Sequence, residues 1–240
     1  MIRSLILLLA LTATASARPI TYRIERAYPL TDRAPAEIAI LEKLNRADAD
    51  HLPRLDAVIV PSRFDAVELE YSPFPRSVPE LAGYSKALIV DQPHQAFAAY
   101  EQGELVRWGP VSTGRRDHPT PSGQFHLNWR SPGRHSTDDE GWYMKWYYNF
   151  HNRRGLALHE LELPGRPASH ACARLLARDA RWIYDWGEGW TLDERGWPVL
   201  EEGTPLWILG TYDFGAPPRW LSADAPHPGI TFDSAVFVEP

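Results

Sequence analysis

Lys86-Ala87-Leu88-Ile89-Val90, then Ala96-Phe97-Ala98-Ala99-Tyr100, then Leu105 through Ser112 are three short apolar runs in close succession. Each is too short for a typical globular helix and reads as a strand, and Gln102-Gly103 makes the turn that joins the last two into a hairpin. The same text continues downstream in Phe125 to Trp129, Trp142 to Phe150, Leu156 to His159 and Leu206 to Leu209. One helix interrupts it, from about Leu176 to Trp186, with Ile183 and Trp186 facing inward. Successive short strands with turn signals predict a mainly β domain, a β-sandwich or barrel-like sheet with few short helices.

Outward from this block the chain changes character. Pro35 to about Ala47 reads as a helix, because proline suits a first turn and Ile38, Leu41 and Leu44 recur at helical spacing. Leu55 to Pro61 reads as a short strand, and the prolines at 73, 75 and 79 make Ser72 to Gly83 a natural linker. Residues 18–84 are thus a small α/β N-terminal segment, 85–212 the main domain and 213–240 a C-terminal extension. At the start, Arg3, the apolar run Leu5 to Leu11 and the small-x-small triplet Ala15-Ser16-Ala17 have the form of an export signal cleaved after residue 17. The run is short for a bilayer span. The expectation is a periplasmic or secreted protein with no membrane span after cleavage.

Composition narrows the partners. The 240 residues carry 25 basic and 31 acidic side chains, a net charge of −6, and only Lys86 and Lys145 stand for lysine beyond position 43. A nucleic-acid partner would need clustered positive charge, so none is expected. Ten tryptophans, ten tyrosines and 22 prolines fit short strands and ordered loops. There is one cysteine, Cys172. A lone thiol in an exported chain makes no internal disulfide, which points to reactivity, with a buried inert thiol as the plain alternative.

The chemistry gathers in Leu156-Ala157-Leu158-His159 and, after a Pro/Gly-rich loop, Ser169-His170-Ala171-Cys172-Ala173-Arg174-Leu175. The spacing lets the loop fold back and set imidazole beside thiol. A thiol of pKa about 8.5 is mostly protonated at neutral pH, and both a neighbouring imidazole and the N-terminus of a following helix favour its thiolate. Backbone N–H groups at Ala171 and Cys172 would then face a developing oxyanion. On residue types alone, His159, His170 and Cys172 are also acceptable zinc ligands, but there is no second cysteine and no compact ligand spacing. Structural histidines with a buried thiol are the third reading.

Ser169 to Leu175 resembles the Ser-His-Gly-Cys-(Val/Ile)-Arg-(Leu/Met) signature of the L,D-transpeptidase (YkuD-like) catalytic domain. Val111-Ser112-Thr113-Gly114 with Thr120-Pro121-Ser122-Gly123-Gln124-Phe125 resembles a second family block. Met144 to Phe150 resembles its methionine- and aromatic-rich strand, Leu156 to His159 the strand bearing the histidine, and Gly203 to Ile208 the closing strand. The resemblance runs in order from about Ser85 to Tyr212. It implies a nucleophile on a loop under a flap, with peptidoglycan stem peptides as partners and no cofactor or metal. Cys172 attacks the carbonyl before the terminal D-alanine, with His159 as the base. The amine of a second stem captures the thioester in a 3→3 cross-link. His170 and Ser169 are implied to support the nucleophile, Ala171 to offer its N–H, and Arg174, Trp146 and Tyr147 to contact substrate.

Capture of the thioester by water, or by a lysine of an envelope protein, remains open, as does a lapsed enzyme that only binds. Ala171 stands where the family has glycine. Because non-glycine residues rarely adopt φ > 0, the expectation is a turn with φ < 0 in which alanine is harmless. Ala173 replaces a branched residue, and residues 187–202 form an insertion whose Trp190 and Trp197 either line a groove or pack locally. In the N-terminal segment, Leu41 to Arg46 followed by Val58-Ile59-Val60-Pro61 resembles the second half of a LysM glycan-binding module. A plain docking segment is the alternative.

Overall fold

The computed structural model describes residues 19–26, 28–137, 141–222 and 229–237. The export-signal pattern of residues 1–17 lies outside them. The N-terminal elements are β1 (Tyr22–Glu25), α1 (Pro35–Asn45) and β2 (Val58–Pro61). The main domain follows with β3 (Ala87–Asp91), β4 (Ala96–Glu101), β5 (Glu104–Ser112), β6 (Gly123–His126) and β7 (Arg130–His135). Next come β8 (Tyr143–His151), β9 (Leu156–Glu160), β10 (Ala173–Leu175), α2 (Ala177–Trp186), β11 (Thr191–Leu192), β12 (Val199–Glu201) and β13 (Pro205–Leu209).

Nine of these strands form one mixed sheet in the order β6-β13-β3-β4-β5-β10-β9-β8-β7. Two of its pairings are parallel, β13 with β3 and β10 with β9. The sheet curls until β6, at one edge, meets β8, next to the other: Phe125 of β6 lies edge-on to Phe150 of β8 at 5.4 Å, and the Asn128 N–H donates to the Asn149 carbonyl at 2.8 Å. The protein is mainly β, with two α-helices among the described residues, as the strand-rich sequence predicts.

β3 is buried along its whole length because both of its faces are covered. This is why it reads as a continuous apolar run and not as an alternating one. Leu88 and Val90 point into the core inside the curl, where they join Phe97, Val111, Tyr148, Leu158 and, from α2, Ala180 and Ile183. Ala87 and Ile89 point outward into a second core with Ile40 and Leu44 of α1, Ile59 of β2, Tyr71, Phe74, Val78 and Leu81. Ile230 and Phe237 of the C-terminal extension close it.

The second core corrects the linker expectation for 72–83. Phe74, Val78 and Leu81 are buried there, the Val78 N–H donates to the Gly103 carbonyl, and the Leu105 N–H donates to the Arg76 carbonyl. The prolines shape a strap packed on the β4–β5 turn. The N-terminal segment is docked as well. Lys43 of α1 is fully buried, 2.6 Å from Glu68 and 3.9 Å from Asp179 of α2, and Asp179 also receives Arg107 at 2.7 Å. Burial pulls the Lys43 ammonium below its ordinary pKa, against the pull of Asp179. The insertion 187–202 is the hairpin β11–β12, with Trp197 72 % exposed near its turn. Among the described residues no helix is long and apolar enough to cross a membrane.

Candidate active site

β9 and β10 run parallel, so the chain between them must cross over, and residues 161–172 do so as a loop without a helix. This crossover sets His159 on β9 across from Arg174 on β10 and leaves Cys172 one residue before β10 begins. One small cavity, about 30 Å³, is lined by His159, Ser169, His170, Cys172 and Arg174 together with Ser136, Trp142, Met144 and Leu161. That is room for one or two water molecules. Five of the residues singled out from sequence therefore share its wall.

His159 is 3 % exposed. Its Nδ1 lies 2.9 Å from the Glu160 carbonyl oxygen, which can only accept, so the ring carries its proton on Nδ1 and Nε2 is the basic nitrogen. Burial lowers its pKa to about 4, aided by the Arg174 charge and opposed by the bond to Glu160. The imidazole is thus neutral at physiological pH. Arg174 is also buried, which depresses its pKa against the attraction of Glu162 and Cys172. Its guanidinium stands 4.0 Å from the Glu162 carboxylate and 5.4 Å from the face of Trp142.

The loop that carries Cys172 is fastened to the turn that follows β5. The Ala168 and Ser169 N–H groups both donate to the Thr113 carbonyl, and the Arg115 N–H donates to the Ser169 carbonyl. The Ser169 hydroxyl donates to the Cys172 carbonyl. His170 stacks on His118, with centroids 4.5 Å apart, and meets the edge of Trp142 at 4.7 Å. Gly114 has no room for a side chain, since a Cβ there would strike the His118 carbonyl and the Thr120 nitrogen.

Three expectations need correction. Ala171 has φ +79°, the left-handed region, not the negative φ expected for alanine. An alanine there costs roughly 1–2 kcal/mol. α2 begins at Ala177, where the sequence places a helix from about Leu176, but strand β10 stands between it and Cys172. Its N-terminus is therefore not the neighbour expected to favour the thiolate. Trp146 and Tyr147 do not line the cavity. Trp146 takes a left-handed φ of +51° and lays its indole against Tyr184 and Arg181 of α2. Tyr147 is buried beside Met144 and Ala157, with its hydroxyl donating to the Gly155 carbonyl at 2.9 Å.

Residues 85–208, just over half of the chain, match the family model YkuD: L,D-transpeptidase catalytic domain. The chain belongs to the YkuD family. Enzymes of this family are cysteine-dependent acyltransferases. Among solved structures, it is similar to an L,D-transpeptidase from Xylanimonas cellulosilytica at 27 % identity and TM-score 0.47, over 72 % of this chain and 78 % of that one. An L,D-transpeptidase from Stackebrandtia nassauensis is 21 % identical with TM-score 0.45, over 61 % and 69 %. One from Mycobacterium smegmatis is 19 % identical with TM-score 0.42, over 52 % and 59 %. The chain thus spans about three fifths of the length of that mycobacterial structure. No curated protein matches it.

Sequence reasoning assigned no role to Trp142, Met144, His118 or Thr120, although the YkuD blocks contain two of them. Trp142 and Met144 carry no chemistry of their own and enter the site only because β8 brings them over the crossover. Thr120 left a signal, a hydroxyl residue held between Pro119 and Pro121.

Proposed function

We propose that the protein is an exported peptidoglycan L,D-transpeptidase in which Cys172 is the nucleophile and His159 the general base. The observation that carries this is the shared cavity of the thiol and a neutral, buried imidazole whose proton is fixed on Nδ1. That tautomer leaves Nε2 to take the thiol proton as sulfur attacks. In this reading the carbonyl attacked joins the third residue of a stem peptide to the terminal D-alanine. The tetrahedral oxyanion is received by backbone N–H groups at Ala171 and Cys172. His159 then gives its proton to the departing D-alanine nitrogen, leaving a thioester on Cys172.

The amine of a second stem attacks the thioester and loses its proton to His159. The thiolate leaves and takes that proton back, and a 3→3 cross-link has formed without ATP. Arg174 suits a substrate carboxylate once the donor displaces Trp142 from its face, and the His118–His170 stack holds the loop. The water-sized cavity leaves hydrolysis of the same thioester as the competing outcome. Export rests on the signal pattern of residues 1–17 and on peptidoglycan lying outside the cytoplasm.

Purified muropeptides incubated with the protein and analysed by mass spectrometry test both steps. The expected products are free D-alanine and a cross-linked dimer, both absent with Cys172→Ser. A trimmed monomer alone would reassign the acceptor to water. Neither D-alanine release nor an acyl-protein mass would end the enzyme reading.

A further inference from the structure

Thr120 sits outside the catalytic cavity and is buried, yet its hydroxyl reaches the backbone of the nucleophile. Its Oγ1 donates to the Ala171 carbonyl at 3.0 Å, with the Cys172 carbonyl farther off at 3.4 Å. The same oxygen accepts the Gly114 N–H at 2.8 Å. Both bonds are buried, so both partners depend on this one hydroxyl. The side chain is fixed in advance of catalysis. Pro121 restricts the Thr120 backbone to extended conformations, its branched side chain has few rotamers, and the glycine at 114 lets the turn pass close enough to touch it.

The consequence follows from the planarity of the peptide bond. The Ala171 carbonyl and the Cys172 N–H belong to one trans peptide unit, so they point in opposite directions. Thr120 is not among the residues lining the cavity, so holding the carbonyl toward Thr120 directs the Cys172 N–H away from Thr120. The Ser169 hydroxyl fixes the next peptide unit in the same way, through the Cys172 carbonyl. Ala171, at φ +79°, is the residue whose backbone must be held for this arrangement to persist.

We infer that Thr120 is a positioning residue for the oxyanion donor: its hydroxyl sets the plane of the Ala171–Cys172 peptide and so aims the Cys172 N–H at the developing negative charge. This rests on the reading of Cys172 as an acyl-transfer nucleophile. Thr120 touches no substrate, and its effect belongs to steps that form a tetrahedral oxyanion. Alkylation of the thiol by iodoacetamide passes through no oxyanion and needs only an accessible thiolate.

The test compares the two reactions on the full chain. p-Nitrophenyl acetate acylates the thiol with release of p-nitrophenolate, and iodoacetamide alkylates it. Thr120→Val should slow acylation at least thirtyfold, a share of the 10²–10³ lost when an oxyanion donor is removed, while alkylation stays within threefold. Thr120→Ser keeps the hydroxyl and should acylate within threefold of the wild type. Equal losses in both reactions, or none in either, would overturn the assignment. So would Thr120→Val and Thr120→Ala both failing to fold by circular dichroism, since the hydroxyl would then serve the fold as a whole. Absence of acylation in the wild type, with alkylation intact, would instead refute the nucleophile reading itself.

Discussion

Replacing His159 with glutamine should flatten the acid limb of the protein's stability. The folded imidazole has a pKa of about 4, chiefly because burial disfavours its charged form. In the unfolded chain it titrates near its ordinary value of about 6.5. Between these two values the unfolded state binds the extra proton and the folded state does not. The sign is therefore fixed: the contribution of His159 is complete above about pH 6.5 and is lost as the pH falls toward 4. At about 1.4 kcal/mol per pH unit, the whole window is worth roughly 3 kcal/mol. Urea unfolding of the wild type and of His159→Gln at pH 7.5, 5.5 and 4.5 measures it, because carboxylate effects common to both proteins cancel in the difference. Between pH 7.5 and 4.5, which stops short of the folded pKa, the wild type should lose roughly 2–3 kcal/mol more than the variant. Parallel pH profiles would refute the buried neutral imidazole. The same pKa has a kinetic counterpart: kcat/KM for acylation should hold down to about pH 5, and an acid limb centred near 6.5 would point to a solvated histidine.

Other changes follow from the same geometry. Ala171→Gly should move stability by no more than about 1 kcal/mol, since relief of the left-handed strain is set against glycine's backbone entropy and a lost buried methyl. Ala171→Val, a branched residue at φ +79°, should cost more than about 2 kcal/mol and slow acylation at least tenfold; an unaffected melting temperature would show a turn with φ < 0. Trp142→Ala uncovers the cavity and should speed iodoacetamide labelling of Cys172 severalfold, whereas an unchanged rate would mean that the indole is no roof. Asp179→Asn leaves the fully buried Lys43 without its buried counter-charge and should cost about 3 kcal/mol in urea. Adding Lys43→Met should recover part of that loss, and additive losses would show that the two groups are not coupled.

The strands that sequence reveals are those whose own residues bury both faces or alternate. β3 and β4 declare themselves because Leu88, Ile89 and Val90, then Phe97 and Tyr100, leave no polar face for a helix to expose. β7 does not. Arg130 to His135 contains a serine, a proline and a glycine, and it is a strand only because β8 offers a partner for it. β10 was hidden for the same reason: Ala173, Arg174 and Leu175 suit a helix equally well, and pairing with β9 and β5 makes them extended. The helix read from about Leu176 is there as α2 from Ala177, but the strand before it keeps its N-terminus away from the residue next to Cys172. Cys172 and His159 could be singled out because few residue types carry such chemistry, and the structure places both on the wall of one cavity. Trp146 and Tyr147 were misplaced because the face a side chain takes depends on the left-handed turn at Trp146.

Ala171 shows why a backbone angle is hard to read from sequence. Local preference argues for φ < 0, and considered alone the preference is sound. A strained residue persists only where its surroundings over-determine it, and the surroundings here lie some fifty residues earlier, in the turn after β5. On the N-terminal side of Ala171, Thr113 and Arg115 grip residues 168 and 169 through three backbone bonds. On its C-terminal side, Thr120 holds its carbonyl and Ser169 holds that of Cys172. With both flanking units tied, the chain at 171 has little freedom except to turn left-handed, whichever residue occupies it. Glycine would enter that turn without strain, and alanine enters it because the bonds on either side outweigh roughly 1–2 kcal/mol of cost. The substitution of alanine for the family's glycine is therefore compatible with the left-handed turn before Cys172, provided that the Thr113–Thr120 turn remains intact.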